Sequence, residues 1–562
     1  MNFKSFNNLI ELFDHVKEQN LDKQFLFQVD SNKLLQSISW KKAGQKVCNL
    51  AKFLSDRGVL KGDRVLLVSE NRPEWLISDL SILTLGAITV PNYTTYTAKD
   101  FEFILNDCNP KGLIVSNKKL LDKVLIACKK INYEFNFIII FDKEEANLNV
   151  ISLEEIENTQ IKKNNFTART DPACIIYTSG TQGNPKGVLL SHGGILANVE
   201  GAYNLVKEIK TNQYRFLTWL PLSHSYEHTV QFVQISLAAE IVYCQYLEKL
   251  METIKIARPD IMTAVPRFYN NLYNKMQSKL KESKIFSKTV ELGKRNFVGE
   301  KLSIFENLLN KILTILVRKK VLNNFGGRLK AFISGGGPLD KNIGIFLNAL
   351  GLKTLQGYGL TEFSPIVSCN PINKIKVETV GIPFSNIEVK INHDGEILAK
   401  GESLMIKYWN NEQATSEAIK DGWLHTGDIG EIDQDGYLKI TDRKKDIIVN
   451  AGGDNISPAK IENLLCINPE IEQAFVYGDN KNYLVALVVL NKQNQLSRSE
   501  VQGIIDKVNK NLTAIEKIKN FSILQDGFTL ENNMMTPTMK IKRHIISKKF
   551  AETLNSFYSS KK

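Results

Sequence analysis

The sequence predicts an α/β protein with a large N-terminal domain, residues 1–442, and a small, mobile α/β C-terminal domain, residues 443–562. Three observations carry this. A chain of 562 residues exceeds what a single hydrophobic core usually holds. Strand-like and helix-like apolar runs alternate over residues 40–145 and again from Asp260 to Gly359, the pattern of a largely parallel sheet with helical crossovers. The dense charge cluster Thr441-Asp442-Arg443-Lys444-Lys445-Asp446 separates two apolar strands and marks the boundary.

Arg64–Val68 reads as a strand, followed by a helix-like segment from Trp75 to Leu85. Ile88-Thr89-Val90 precedes a helical pattern through Phe101 and Leu105. Gly112–Val115 and Phe137–Ile140 flank another, from Lys119 to Cys128. Two further strands, Ala173–Tyr177 and Val188–Leu190, enclose a loop of small residues. The segment from Asn271 to Lys320 is basic, helical and amphipathic; it suits either helices packed on the main domain or contact with a membrane surface. After Gly381 the texture turns strand-rich, with Asp394-Gly395 and Asp435-Gly436 as turns, and predicts a small β-rich subdomain. In the C-terminal piece Ser457-Pro458 is a helix start whose apolar face is Ile461, Leu464 and Leu465. Phe475–Tyr477 and Leu484–Leu490 read as strands.

Composition excludes some classes of function. Content that is 43% hydrophobic and 23% charged is that of a globular protein. No apolar run reaches the roughly 18 residues of a transmembrane helix, and the N-terminus lacks the form of a signal peptide. The seven cysteines are scattered singly, as expected of reduced thiols in a cytoplasmic protein. A net charge of +12 suits an anionic partner, but it is spread along the chain and no nucleic-acid-binding motif is present.

The loop Thr178-Ser179-Gly180-Thr181-Gln182-Gly183-Asn184-Pro185-Lys186-Gly187 carries the clearest chemistry. Glycines free its backbone N–H groups to form an anion nest, its hydroxyls donate hydrogen bonds, and Lys186 adds a point charge. It therefore reads as a polyphosphate cradle. It is not a Walker loop, because Pro185 precedes the lysine, Gly187 follows it, and a strand comes next. An ordinary glycine-rich hairpin is the alternative if the loop is taken alone.

Four other segments add to it. Ser334-Gly335-Gly336-Gly337 follows a strand, Leu329–Ile333, and lets a flat ring approach the backbone. Gln356-Gly357-Tyr358-Gly359-Leu360-Thr361-Glu362 offers an aromatic face, a hydroxyl for phosphate and a carboxylate for Mg²⁺. Thr426-Gly427-Asp428 places an acid after a tight turn, where it can accept from ribose hydroxyls, and Arg443 can reach the same nucleotide. Lys540 stands on a turn before a basic helix. His224 and His228 have helical metal spacing, but Pro and Ser around them argue against a regular helix, and no third ligand is evident.

In this order and at these separations, the segments resemble those of the adenylate-forming enzymes, and within that superfamily the long-chain fatty acid–CoA ligases, which are AMP-forming acyl-CoA synthetases. The resemblance spans almost the whole chain. The long-chain part rests on Leu220-Pro221-Leu222-Ser223-His224, Val265-Pro266-Arg267 and the basic helical insertion after them. It implies that Thr178, Ser179, Gly180, Thr181, Gly183 and Lys186 hold the ATP phosphates. It implies Mg²⁺ at Glu362, with Thr178 as a further metal residue, and phosphate at Thr361. Gly335, Gly336, Gly337, Gln356, Gly357 and Tyr358 would form the adenine site, and Asp428 and Arg443 would hold the ribose. Lys540 would bridge the acyl carboxylate and the transferring phosphate, His224 would border the acyl site, and Lys445 would be the hinge of the C-terminal domain. The co-substrates would be ATP and CoA and the partner a fatty acid, with no nucleic acid. A homodimer and peripheral contact with the inner face of a membrane stay open; the basic tail from Lys540, with seven Lys or Arg and one acid, suits the latter.

Many long-chain relatives have Glu-Arg where this chain has Glu227-His228, a departure that bears on chain-length preference; because His228 lies four residues beyond His224 on the same segment, it is expected to help gate the acyl tunnel. Medium-chain or aromatic acids, or a carrier protein in place of CoA, are the alternative substrates.

Overall fold

The computed structural model describes residues 1–142, 150–156, 167–178, 185–491, 496–529, 531–536 and 540–559. Among them, eight strands form one sheet of the large domain, in the order Lys407–Tyr408, Lys186–Ser191, Pro172–Thr178, Ile88–Asn92, Arg64–Val68, Gly112–Val115, Phe137–Ile140 and Val150–Ser152. From Ile88–Asn92 to Val150–Ser152 every pairing is parallel, as the alternating pattern predicts. The crossover helices have local reasons to start and stop. Thr97 and Asp100 form a capping box ahead of Ala98–Cys108, and Asn109 ends that helix in the left-handed region. Asn117 and Asn132 do the same for Lys118–Ile131, with Asn117 as a simple N-cap.

A second sheet of nine strands runs from Leu35–Ser39 through Gln24–Val29, Glu240–Tyr243, Arg215–Thr218, Ile261–Ala264, Ala331–Ser334 and Thr354–Gly359 to Ile366–Cys369 and Ile382–Pro383. One hydrophobic cluster joins residues of both sheets, such as Leu67, Ile176, Phe216 and Leu355, to the helices His192–Val206 and Ser225–Ser236. Both helices are buried nearly all round and pack on each other. The first is mostly apolar or small in sequence, whereas the second buries polar side chains that are paired inside the protein, such as His228 with Asp79, Glu227 with Thr263 and Gln231 with Tyr243. A third, antiparallel sheet contains Glu388–Ile391, Glu396–Lys400, Ile419–Lys420, Trp423–Ile432 and Leu438–Arg443, and is the expected β-rich subdomain.

After Arg443 a turn, closed by Asp446 N–H and Ile447 N–H donating to Arg443 C=O at 2.9 and 3.0 Å, leads into the C-terminal piece. Its three-stranded sheet, Ile471–Tyr477, Leu484–Leu490 and Ile518–Leu524, has its own hydrophobic clusters. Ser457 caps the helix Pro458–Cys466 as its sequence predicts. Two contacts toward the large domain are Arg267 with Glu472 at 3.7 Å and Ile467 on the cluster around Phe332. The basic tail is folded, with helices Arg543–Lys549 and Ala551–Ser556 burying Ile546 and Leu554.

Two expectations need correction. The segment after His224 is a regular helix, Ser225–Ser236, because His224 itself caps it and the Pro and Ser residues fall before or at its first turn. His228 does not border the cavity described below. It is buried in the core, where its Nε2 pairs with Asp79 at 2.9 Å and its ring meets the edges of Trp75 and Phe232. Four residues is just over one helical turn, but His224 is the cap outside the helix, and His228 within it turns inward toward Asp79 of the helix Pro73–Thr84.

Candidate functional site

The two domains enclose a cavity of about 2740 Å³. Sites for a single small ligand usually measure about 300–1,000 Å³, so this one has room for more than a nucleotide. Its lining includes Thr178, Lys186, His224, Gly335, Gly336, Gly337, Gln356, Gly357, Tyr358, Thr361, Glu362, Asp428, Arg443, Lys445 and Lys540. Residues from the two ends of the chain, more than 350 positions apart in number, therefore meet in one space. Ser179, Gly180, Thr181 and Gly183 lie outside the described residues.

Thr178 and Lys186 are register partners at the open end of an antiparallel hairpin. This is the strand–loop–strand setting that the sequence implied, with no helix following the lysine directly. Lys186 Nζ lies 4.8 Å from the centre of the Tyr408 ring. Tyr408 also donates its hydroxyl to Glu362 Oε1 at 2.8 Å, which leaves Oε2 without a hydrogen-bond partner among the described residues. Burial first, and then the Glu362 carboxylate, push the Tyr408 phenol far above its ordinary pKa, so it stays a donor. Tyr408 carries no motif and stands 46 positions from Glu362, so only the fold reveals it.

Thr361 and Glu362 sit on a single tight turn after the strand Thr354–Gly359. The Thr361 hydroxyl lies 2.9 Å from that of Ser225, a second residue the sequence did not single out. The glycine segment follows the strand Ala331–Ser334, and Gly336 has φ +80°, a conformation that disfavours any side chain. Gly335 faces the ring of Tyr226, where an added Cβ would stand 3.0 Å from a ring carbon.

Asp428 and Arg443 are register partners on adjacent antiparallel strands. Arg443 Nε donates to Asp428 Oδ1 at 2.9 Å and Tyr358 Oη donates to Oδ2 at 2.7 Å. Gly427 turns the strand at φ +71°, and its N–H donates to Glu396 Oε1 at 2.9 Å. A buried carboxylate thus receives one donor on each oxygen from the two residues expected around the nucleoside.

His224 Nδ1 accepts the backbone N–H of Tyr226 at 3.1 Å. Burial, and then the charge of Lys540, push its pKa down to about 4. The ring is therefore neutral at pH 7, and with Nδ1 accepting, its proton sits on Nε2, free to donate to an anion. Lys540 borders the open cavity and its side chain is exposed to the solvent there. Desolvation by the surrounding walls, followed by repulsion from Arg443, pushes its pKa down to about 8, although Asp428 and Glu362 oppose the shift.

Beyond these polar groups the wall turns apolar, with Ala202, Leu205 and Val206 from one helix and Val230 and Val233 from the next, joined by Phe216. Glu227 also lines it. Burial pushes its carboxyl up to about 8, and it accepts from the Thr263 hydroxyl at 2.7 Å. At neutral pH this acid is uncharged, so the wall there carries no net charge. The arrangement can hold a polyphosphate, a nucleoside and an apolar acid side by side, with cations where anionic oxygens would meet.

The sequence model of the AMP-binding enzymes matches residues 12–409, and that of the AMP-binding enzyme C-terminal domain matches residues 445–562. The long-chain-fatty-acid–CoA ligase FadD15 of Mycobacterium bovis is 30% identical, over 93% of this chain and 92% of that protein. Long-chain-fatty-acid–CoA ligase 5 of Rattus norvegicus is 29% identical, over 93% of this chain and 84% of the relative. The crystal structure of the anthranilate CoA ligase AuaEII in complex with anthranoyl-AMP matches in fold, with a TM-score of 0.78 and 20% identity over 99% of this chain and 100% of that one. Because the first sequence model alone accounts for well over half of its length, the chain belongs to the AMP-binding enzyme family.

Proposed function

We propose that the protein is a long-chain fatty acid–CoA ligase. It forms acyl-AMP and pyrophosphate from ATP and a long-chain acid, then transfers the acyl group to CoA and releases AMP. The observation that carries this is similarity along most of the chain to relatives that bear that name, 30% identical over 93% of the chain in the case of FadD15. The apolar wall beside the polar end of the cavity supports an extended acyl chain over a small or aromatic acid. Release of AMP should depend on CoA and on a long-chain acid across a panel of chain lengths. Turnover confined to short or aromatic acids would overturn the reading.

In this proposal Lys186 and the loop before it hold the β- and γ-phosphates. Tyr358 and the glycine segment Gly335-Gly336-Gly337, with Gln356 and Gly357, frame adenine, while Asp428 and Arg443 hold the ribose. The Nε2–H of His224 donates to the acyl carboxylate, and Thr361 donates to phosphate. Lys540 neutralises charge as the carboxylate attacks the α-phosphate. Glu362 suits Mg²⁺, because its Oε2 carries no hydrogen bond among the described residues and a carboxylate oxygen is the ligand that ion prefers; Thr178 lines the same cavity. Mg²⁺, when bound, supplies charge neutralisation at the phosphates. Replacing Tyr408 by Phe frees Glu362 to rotate and should raise the Mg²⁺ needed for half-maximal acyl-AMP formation about tenfold. Glu362→Gln should raise it further, and a Mg²⁺ titration of both variants checks the order.

The hinge belongs to this proposal too. The hydrophobic clusters stop at Ile440 and resume at Ile448, and the Lys445 side chain has no hydrogen bond or ion pair among the described residues. Rotation there would withdraw Lys540 after adenylation and bring another face of residues 443–562 to the site.

The Lys540 pKa gives a pH dependence with a definite sign. The ammonium must be charged to act, and in the free enzyme it is lost above pH of about 8. The kcat/KM for acyl-AMP formation should therefore fall about tenfold per pH unit above that value. Lys540→Arg should keep its own residual activity level across the same range, since guanidinium does not titrate there.

A further inference from the structure

The helix Ile304–Leu313 presents its apolar side to water. Ile304 is 87% exposed and Phe305 84%, and Leu308, Leu309, Ile312, Ile315 and Leu316 continue the same face. At 100° per residue the five within the α-helix, Ile304, Phe305, Leu308, Leu309 and Ile312, cover an arc of about 140°, and Ile315 and Leu316 follow in a π-helical turn. An ordinary surface helix would turn such a stripe inward. Here the opposite side is held instead, and by polar groups. The buried Arg318 donates to Ala349 C=O at 2.8 Å, to Thr289 C=O at 3.2 Å and to Asn310 Oδ1 at 2.8 Å. That clamp ties the helical segment to the helices Lys284–Phe297 and Lys341–Ala349, beside buried Leu313 and Val321. The Ser303–Glu306 capping box fixes the helix start at the exposed tip.

Charge points to the occupant. Lys301, Lys311, Lys319 and Lys320 are exposed, and none has an ion pair among the described residues. The nearby acids Glu300 and Glu306 are both tied to Arg295, at 3.0 and 2.5 Å. A second copy seated on this face by two-fold symmetry would bring like charges together. An apolar stripe flanked by free lysines is instead the pattern of an interfacial helix.

We propose that this face docks on an anionic lipid surface, with Ile304, Phe305 and Leu308 entering the headgroup boundary and the four lysines meeting lipid phosphates. The inference concerns binding alone and stands apart from the proposed reaction. The test is flotation of the full-length protein with vesicles of phosphatidylcholine, with and without phosphatidylglycerol, in the absence of substrates. Binding should require the anionic lipid and weaken with salt. Each of K311E, K319E and K320E should lower the partition coefficient at least about five-fold. Phe305→Asp combined with Leu308→Asp should lower it more than about tenfold, while circular dichroism and ATP–pyrophosphate exchange in vesicle-free buffer stay unchanged. Binding equal on neutral vesicles, or unaffected by both sets of variants, would overturn the proposal. So would a dimer in solution that Phe305→Asp converts to monomer, because the face would then be covered by a second copy.

Discussion

Lys540→Ala is expected to lower the rate of acyl-AMP formation by about 10²–10³-fold, the usual loss when one preorganised charge on a transition state is removed. The lysine stands among charged groups that leave it little alternative employment. Arg443 repels it, Asp428 and Glu362 attract it, and its charge in turn holds down the pKa of His224. A transferring phosphoryl group would supply a counter-charge that these neighbours only partly provide. The second half-reaction, from supplied acyl-AMP and CoA, should fall by less than about threefold if the C-terminal domain turns away first. Single-turnover assays of each half-reaction separate the two. Equal losses would show that the domain keeps one orientation throughout the cycle.

Asp79→Ala is expected to destabilise the large domain by about 3–5 kcal/mol. The pair it breaks, Asp79 with His228, has side-chain exposures of 0% and 1%, so neither charge can turn to water. Burial alone would lower the His228 pKa. The Asp79 carboxylate, and after it Cys174, outweigh burial and raise it to about 10. The imidazolium is thus charged in the folded protein at pH 7 and would be left unpaired. Because the folded pKa lies above the unfolded one, this stabilisation is fully present below pH of about 6.5. It is lost as pH rises through about 10. Replacing both residues, Asp79→Leu with His228→Leu, should recover most of the loss, since a buried pair contributes little net stability against apolar residues of similar volume. Denaturant midpoints of the three proteins and the parent check this order. The double variant should also keep the parent's acyl chain-length profile, because His228 lies off the cavity.

Four strands of the parallel sheet, Arg64–Val68, Ile88–Asn92, Gly112–Val115 and Phe137–Ile140, were legible because they are continuous apolar runs; the three-residue edge strand Val150–Ser152 was too short to register. The β-hairpin around the phosphate loop was legible because a loop lacking a following helix had to return to a strand. Most of the polar site was legible through short motifs, in which glycine spacing and a terminal charge travel together. Tyr408 and Ser225 were not, because each acts through one hydrogen bond to a partner distant in sequence, which no local pattern records. His228 was misread for a related reason. Helical spacing fixes which side of a helix a residue occupies, but the partner Asp79, 149 positions away, decides whether that side is core or cavity. The exposed helix Ile304–Leu313 was read as amphipathic, yet the sequence could not say that Arg318 would clamp its polar side inward.

The central claim is that residues from both domains meet in one cavity to join ATP to a long-chain carboxylate. Exchange of labelled pyrophosphate into ATP, measured with no CoA present and with acids of increasing chain length, tests it most directly. Exchange should be negligible without an acid, rise with long-chain acids and vanish in Lys540→Ala. Exchange that no acid supports, or that persists without Lys540, would contradict it.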